Sequence, residues 1–268
     1  MIQNIDPVIL SFGPLAIRYY GLIYMSGFII GYLFLKYAVK KEGLKKITKN
    51  DISDYIFYSV IFVVLGARIF EVIFYDPGYY FSNPLEIIMI HKGGLSFHGG
   101  FFGLYIYTLI FCRKKGLPLM QWGDYLAVAG SISLFLGRIA NFLNSELPGL
   151  PVDNQINPPW YAIKFVRYDD LWRIPTQLLE SSKNLLIFLI LLFVFKKVKN
   201  RKTGTLLWLF TFLYGTFRFI IEFWKQDYQD RLWGLSMGHL LCLPMIIIGL
   251  CGLYYIYFIK PKKALAGK

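Results

Sequence analysis

The chain has 268 residues, of which 56% are hydrophobic and 17% are charged, and its formal net charge is +13. Soluble domains carry roughly 25% charged residues, so this composition argues against a soluble enzyme, a disordered chain and a disulfide scaffold. The apolar residues stand in long continuous runs, whereas a transmembrane barrel is built from short alternating strands.

Seven apolar runs predict seven membrane-spanning helices, because a helix needs roughly 20 residues to cross a bilayer. In chain order the runs cover residues 19–39, 55–75, 95–112, 125–143, 185–195, 205–224 and 239–259. The fifth run is short by itself but can extend back to Gln177. We therefore predict an all-α membrane protein, a bundle of about seven transmembrane helices that forms a single domain over residues 1–268.

The distribution of Lys and Arg predicts the orientation of this bundle. The segments after the first, third, fifth and seventh runs hold 18 basic residues, and the segments on the other side hold 7. Basic loops stay in the cytoplasm and meet anionic lipid, so we expect the N-terminus outside, the C-terminus in the cytoplasm and no nucleic-acid partner. The longest loop, residues 144–180, then faces outward. Its prolines and aromatic residues indicate a small ordered head, with a plain linker as the alternative.

Ionisable side chains inside the apolar runs are candidate site residues, because a charge at membrane depth is costly and usually faces the bundle interior. Two arginines have polar neighbours one helical turn away, namely Arg138 with Asn141, and Arg218 with Tyr214 and Glu222. Asn144 and Glu146 follow Asn141. A guanidinium binds phosphate as a bidentate fork, so the two sets suit an anionic lipid head group. The alternative is an internal salt bridge, which explains Arg68 and Glu71 equally well.

A histidine flanked by two glycine pairs is a further candidate. Residues 93–100 read Gly-Gly-Leu-Ser-Phe-His-Gly-Gly and contain His98. Glycine permits close helix approach or an unwound turn, and histidine can transfer a proton near neutral pH. The alternative is a histidine that is hydrogen-bonded within the packing. With three histidines in all, no metal site is predicted.

A match to the nucleophile-elbow motif G-x-S-x-G occurs at residues 234–238. That motif requires a strand–turn–helix context, and here it lies in the loop that enters the last apolar run. We interpret the match as chance.

Four of these segments, in this order and spacing, resemble the motifs of the bacterial prolipoprotein diacylglyceryl transferases. They are residues 93–100 with His-Gly-Gly, residues 137–146, residues 214–223 and residues 236–238. Residues 18–22 are also similar to the start of the family's first span. The likeness extends over most of the chain.

The resemblance implies a seven-span bundle with a small periplasmic head in the bacterial cytoplasmic (inner) membrane. The family moves a diacylglyceryl group from phosphatidylglycerol to the lipobox cysteine thiol of a prolipoprotein, which forms a thioether and releases glycerol phosphate. The implied partners are therefore phosphatidylglycerol, lipobox peptides and membrane lipid, and no cofactor or metal is implied.

The resemblance also implies roles for residues of this chain. The catalytic residues would be His98, Arg138 and Arg218. The substrate-binding residues would be Tyr20, Gly99, Gly100, Asn141, Asn144, Glu146, Gly149, Tyr214 and Glu222.

The chain departs from the family pattern at several positions. Ile174 and Leu179 replace a His and a Tyr after the head, Leu150 replaces an Arg, and Ala140 and Ser145 replace common glycines. The departures at Leu150 and Ile174 leave open a divergent relative with another acceptor. The arginines inside the apolar runs leave open a non-catalytic phospholipid-binding or transport protein that uses them as an anion path.

Overall fold

The computed structural model describes residues 1–12, 15–90, 93–226 and 234–259, and these are mostly helical. Their α-helices are α1 (Tyr19–Lys41), α2 (Lys49–Phe70), α3 (Pro77–Ser82), α4 (Phe97–Lys115), α5 (Leu119–Leu143), α6 (Thr176–Lys197), α7 (Thr205–Glu222) and α8 (Met237–Tyr254). Five short strands also form, namely β1 (Ile2–Gln3), β2 (Val8–Phe12), β3 (Leu15–Arg18), β4 (Ile163–Phe165) and β5 (Trp172–Arg173). The predicted helical class therefore holds for the apolar runs, while two small sheets were not predicted.

Within the described residues, six helices are long and apolar enough to cross a membrane. They are Tyr19–Lys41, Lys49–Tyr75, Leu119–Leu143, Thr176–Lys197, Thr205–Glu222 and Met237–Ile259. Lys49–Tyr75 consists of α2 and a π-helical turn, Glu71–Tyr75, that continues it. The third predicted run also forms a helix, α4, but three basic residues occupy its last turn and it is not among the six. The described part of the chain thus has the architecture of a multi-pass helical membrane protein.

Some basic residues used for the orientation count lie outside the described residues. These are Lys92, Arg231 and the four lysines after residue 259.

The chain divides into two compact units. The first comprises residues 1–34 and 123–268, and the second comprises residues 35–122.

In the second unit, local signals fix the helix ends. Thr48 starts α2 through a capping box, in which the Asp51 amide donates to Thr48 Oγ1 (3.2 Å) and the Thr48 amide donates to Asp51 Oδ2 (2.9 Å). Ser96 caps α4, and Gly116 ends it in the left-handed conformation that glycine adopts at little cost.

Glycines bring α2 and α4 of the second unit into close contact. A Cβ at Gly66 would lie 3.0 Å from the Gly103 Cα, and a Cβ at Gly103 would collide with the Phe62 carbonyl. A Cβ at Gly99 would collide with Gly66 and Phe70. Small residues at such crossings let helix backbones approach closely in a membrane.

In the first unit, the segment between α5 and α6 forms a small sheet with the start of the chain. Strand β1 pairs parallel to β4, with Ile2 opposite Lys164, and β5 pairs antiparallel to β4. Buried Gln3 donates from Nε2 to the carbonyls of Phe142 (3.0 Å) and Leu143 (3.1 Å) at the end of α5. These bonds satisfy carbonyls that a helix C-terminus leaves without partners, and they fix the sheet to α5.

Candidate functional site

The first half of α6 presents a buried polar surface within the first unit. Its members are Gln177, Glu180, Ser181, Lys183 and Asn184, all of which are buried. Buried polar groups are costly unless they are paired, so a cluster of them on a candidate membrane span indicates a site. None of these residues was predicted as a site residue from the sequence.

The Glu180 carboxylate is the centre of this cluster and faces four cationic side chains. Oε2 lies 2.6 Å from Lys183 Nζ and 3.8 Å from Arg138 Nε. Oε1 accepts a hydrogen bond from Arg218 Nη1 and lies 3.6 Å from Lys225 Nζ. Helices α5, α6 and α7 and the segment after α7 each contribute one of these cations. The structure therefore brings the predicted Arg138 and Arg218 together through Glu180, a carboxylate that was not predicted as a site residue from the sequence.

Arg218 also pairs with the predicted Glu222, one turn along α7. The distance from Arg218 Nη2 to Glu222 Oε2 is 2.9 Å. Glu222 Oε1 accepts a hydrogen bond from Ser236 Oγ at 3.2 Å. A carboxylate on the far side of the guanidinium limits its rotation, which fixes the direction of its remaining donors.

Ser236 is the N-cap of α8 and forms a capping box with His239. The Ser236 amide donates to His239 Nδ1 (3.3 Å), and the His239 amide donates to Ser236 Oγ (3.3 Å). The serine of the G-x-S-x-G match is therefore engaged at a helix start, which is consistent with our interpretation of that match as chance.

Arg138 connects to a second carboxylate through an amide. Its Nη1 donates to Asn141 Oδ1 (3.4 Å), and Asn141 Nδ2 donates to Glu146 Oε2 (2.9 Å). Asn144 Nδ2 donates to the other oxygen, Glu146 Oε1, at 3.1 Å. The predicted set around Arg138 is thus a continuous hydrogen-bonded chain at the end of α5.

Ser145, which stands where glycine is common in the family, adopts a left-handed φ of 58°. Such a φ is unfavourable for residues with a side chain. The Ser145 hydroxyl, however, hydrogen-bonds Gln3 Oε1 at 2.6 Å. This bond stabilises the turn that places Asn144 and Glu146.

Gly149 is enclosed by neighbouring atoms that leave no room for a side chain. A Cβ there would lie 2.5 Å from Thr176 Cγ2, 2.6 Å from the Trp224 carbonyl and 2.7 Å from the Ile174 carbonyl. Gly149 also forms an antiparallel bridge with Lys225. Any side chain at this position would displace the backbone that carries Lys225.

Lys225 has an unusual protonation equilibrium. Burial, together with the neighbouring positive charge of Arg218, lowers the pKa of Lys225 to about 8, and Glu180 opposes this shift only partly. Burial disfavours the charged form of an amine. The ammonium can therefore lose its proton within the range of ordinary assay pH.

Arg173 holds the segment between α5 and α6 beside Lys225. Its Nη1 donates to the Gly149 carbonyl (2.9 Å) and to Gln226 Oε1 (2.6 Å), and its Nε donates to Asp169 Oδ2 (3.0 Å). The hydrogen bond from Arg173 lowers the pKa of Asp169 below its ordinary value.

Two predicted tyrosines, Tyr20 and Tyr214, belong to the first unit. Tyr20 hydrogen-bonds Tyr24 (3.0 Å), and the rings stack at 4.5 Å. A Cβ at Gly137, the residue before Arg138, would lie 3.6 Å from the Tyr24 hydroxyl. Tyr214 lies below Lys183, whose Nζ is 3.9 Å from the ring centroid.

The remaining predicted site residues belong to the second unit. His98 is exposed, and its Nδ1 lies 3.2 Å from the Tyr75 hydroxyl, at the end of the π-helical turn. Gly99 and Gly100 face α2 and serve helix packing there, with a Cβ at Gly100 reaching Val63 Cγ1 at 3.4 Å.

Arg68 is buried in the second unit and donates to backbone carbonyls rather than to Glu71. Its Nη1 contacts the Gly93 and Gly94 carbonyls, each at 2.8 Å, and its Nε contacts the Ile87 carbonyl at 2.9 Å. The salt-bridge interpretation of Arg68 with Glu71 is therefore wrong, and Arg68 instead organises the segment that precedes α4.

No group of three or more His, Cys, Asp or Glu side chains within the described ranges could bind a metal ion.

Comparisons with known proteins agree on one family. A family profile described as prolipoprotein diacylglyceryl transferase matches residues 7–255. The chain is similar to curated proteins named phosphatidylglycerol–prolipoprotein diacylglyceryl transferase. One from Nitrobacter winogradskyi is 40% identical over 257 residues, covering 93% of this chain and 87% of the relative. One from Janthinobacterium sp. (strain Marseille) is 39% identical over 261 residues, covering 96% and 97%, and one from Nitrobacter hamburgensis is 42% identical over 253 residues, covering 91% and 86%.

Proposed function

This chain belongs to the prolipoprotein diacylglyceryl transferase family, and we propose that it transfers the diacylglyceryl group of phosphatidylglycerol to the cysteine thiol of prolipoproteins. The observation that carries the proposal is the cluster of cations around Glu180, in which Arg138, Lys183 and Arg218 lie on candidate membrane spans and Lys225 follows one. Such a concentration of cations is costly in a bilayer unless it binds an anion.

The reaction forms a carbon–sulfur bond and breaks a carbon–oxygen bond and the sulfur–hydrogen bond. The thiol sulfur bonds to the glyceryl carbon that carries the phosphate, and the carbon–oxygen bond to the phosphate breaks. The electron pair of that bond stays on the phosphate oxygen, and the thiol proton leaves. Negative charge therefore grows on the phosphate in the transition state, where preorganised cations contribute most to rate.

Arg138 and Arg218 are the residues we propose to bind this phosphate. Both guanidinium side chains remain 20% exposed although each contacts Glu180. Their partly open sides leave donors for a ligand, and a guanidinium presents paired donors that match phosphate oxygens. Arginine also stays protonated at any assay pH.

The polar residues around the arginines would orient them and the glycerol moiety. We propose this role for Tyr20, Asn141, Asn144, Glu146, Tyr214 and Glu222. The hydrogen bonds from Arg138 through Asn141 to Glu146, and the ion pair of Arg218 with Glu222, support it. Gly149 would permit the backbone at Trp224 and Ile174 to approach closely, because a side chain at this position would collide with both carbonyls.

We propose His98 as the group that accepts the thiol proton, on the strength of the family resemblance. The contact between His98 Nδ1 and the Tyr75 hydroxyl supports an oriented ring, because a hydrogen bond at one ring nitrogen sets the tautomer at the other. If His98→Ala retained most activity across neutral pH, another group would have to be the base.

We further propose that α4 is a seventh span and that the segment from residue 144 to 180 lies outside the cytoplasm, in a single membrane domain. The excess of basic residues on the opposite side of the chain supports this orientation. A bacterial inner membrane supplies phosphatidylglycerol and the prolipoprotein with its lipobox cysteine. Labelling of single introduced cysteines in the head and in the loop after α1 tests the orientation.

The departures from the family pattern bear on the acceptor. Leu150 and Ile174 contribute backbone hydrogen bonds, from the Leu150 amide to the Trp224 carbonyl (2.9 Å) and from the Ile174 amide to the Leu150 carbonyl (3.0 Å). Such bonds do not depend on side-chain type. We therefore propose the ordinary lipobox acceptor in preference to a divergent one.

A mass-shift assay tests the proposal. Purified protein in phosphatidylglycerol liposomes is incubated with a lipobox peptide, and a Cys→Ser peptide serves as the control. We expect a diacylglyceryl mass on the Cys peptide only, and its loss in Arg138→Ala and Arg218→Ala. Folded protein that binds phosphatidylglycerol without modifying the peptide would contradict the proposal and favour a binding or transport role. Consumption of phospholipid without peptide modification would favour another acceptor.

A further inference from the structure

Lys183 differs from the other cations of the cluster in its enclosure. Its side chain is 2% exposed, whereas those of Arg138 and Arg218 are 20% exposed and that of Lys225 is 16% exposed. An incoming phosphate can therefore reach the two arginines and Lys225, but Lys183 is closed off behind them.

The contacts of Lys183 are directed at Glu180 and an aromatic face. Its Nζ lies 2.6 Å from Glu180 Oε2 and 3.9 Å from the Tyr214 ring centroid. Both contacts stabilise an ammonium, and they come from two different helices. Lys183 is thus fixed in place as the closest counterion of Oε2, where Arg138 lies 3.8 Å away.

The charges in the cluster do not cancel. Four cations, Arg138, Lys183, Arg218 and Lys225, face two contacting carboxylates, Glu180 and Glu222, which leaves two surplus positive charges. The phosphodiester of a phospholipid carries one negative charge. A phosphate monoester released from it carries about 1.5 to 2 negative charges near pH 7.

We propose that Lys183 is a positioning residue that neutralises Glu180, so that Arg138, Arg218 and Lys225 retain a surplus charge matched to the leaving phosphate monoester. This inference rests on the proposed function. Without Lys183 the cluster has one surplus positive charge. One positive charge matches the single negative charge of the phosphodiester in the ground state, but not the larger negative charge that develops as the carbon–oxygen bond breaks. An interaction realised mainly in the transition state affects kcat more than KM.

The test compares Lys183→Met with the double variant Glu180→Gln/Lys183→Met in the peptide lipidation assay. The single variant should lower kcat about 10- to 100-fold, less than the roughly 10²- to 10³-fold loss seen when a donor that contacts the developing charge is removed, because Lys183 acts through Glu180. KM for phosphatidylglycerol should change much less. The double variant restores the surplus of two and should recover most of the lost kcat, because the two residues act as a coupled pair. Lys197→Met, at the exposed end of the same helix, is the matched control.

The possible outcomes distinguish a failure of this inference from a failure of the proposed function. If the unsubstituted protein lipidates no peptide, the proposed function fails. If it is active and folded Lys183→Met keeps its kcat, or the double variant is no better than the single one, the inference is overturned. A merely structural ion pair would change the thermal unfolding of the variant without changing kcat per folded molecule.

A second comparison applies if Lys183→Met does not fold. Glu180→Gln alone has a surplus of three, so glycerol phosphate should inhibit it several-fold more strongly than it inhibits the double variant. Equal inhibition of the two variants would overturn the inference.

Discussion

The protonation state of Lys225 predicts how the reaction rate of the enzyme changes with pH. The pKa of Lys225 is lowered to about 8 by burial and by Arg218, so the amine is charged below that pH and neutral above it. We propose that its ammonium is one of the three cations that reach the phosphate. Its contribution to the rate should therefore be present at pH 7 and lost as the pH rises through about 8.

The size of the effect follows from the titration. With a pKa of about 8, about nine-tenths of Lys225 is charged at pH 7 and about one-tenth at pH 9. A hydrogen bond to a charged group is worth about 1.5 kcal/mol or more, which is roughly tenfold in rate. The advantage of the unsubstituted protein over Lys225→Met should then fall about fivefold between pH 7 and pH 9.

The assay is kcat/KM for a lipobox peptide from pH 6.5 to 9.5, for the unsubstituted protein, Lys225→Met and Lys225→Arg. Ionisation of the substrate thiol affects all three proteins equally, so the ratio of two variants isolates the group at position 225. Lys225→Arg stays charged and should keep its advantage over Lys225→Met at high pH. A ratio between unsubstituted protein and Lys225→Met that is constant across this range would refute the reasoning.

Three further predictions concern packing and orientation. Gly103→Ala should lower the stability of the α2–α4 pair by about 1 to 3 kcal/mol through overpacking, measured as thermal unfolding in detergent. Gly130→Ala, at a glycine with open space around it, should have little effect. Tyr75→Phe removes the hydrogen bond to His98 and should lower kcat by about fivefold with KM unchanged. An unchanged kcat would show that Tyr75 does not orient His98 for the reaction. Arg173→Met should speed limited proteolysis of the segment between α5 and α6, because its hydrogen bonds to Gly149, Asp169 and Gln226 are lost. An unaltered cleavage rate would show that other contacts suffice.

The arginines of the site could be predicted because a charge inside an apolar run is conspicuous. Arg138 and Arg218 both lie in such runs, and both converge on one carboxylate. The helical period also predicts that residues four apart face the same way, as Arg218 and Glu222 do at 2.9 Å. Here the local sequence determines the geometry.

The segment between α5 and α6 forms a small sheet with the start of the chain, which was not predicted from the sequence. Strand β1 pairs with β4 across more than 160 positions of the chain, Ile2 opposite Lys164. No local propensity specifies such a partner, and strands of two or three residues carry no recognisable alternation. The hydrogen bonds of Gln3 to the end of α5 likewise depend on tertiary structure alone.

Glu180 and Lys183 were missed for a different reason. They lie in the polar stretch before the fifth apolar run, which resembles an ordinary membrane–water boundary. A signal was nevertheless present, since Gln177, Glu180 and Asn184 recur at the spacing of one helix face. A polar face that continues into an apolar helix is evidence for a buried site.

The balance of charge explains why the role of Lys183 follows only from the structure. A sequence gives the number of charged residues, but whether a carboxylate is neutralised depends on which cations reach it. The four cations that contact Glu180 lie on α5, α6, α7 and the segment after α7. Enclosure then separates the lysine that neutralises Glu180 from the cations that can meet a ligand. The net charge presented to the phosphate is therefore a property of the packed helices, and a single substitution at position 183 should change it without altering any group that touches the substrate.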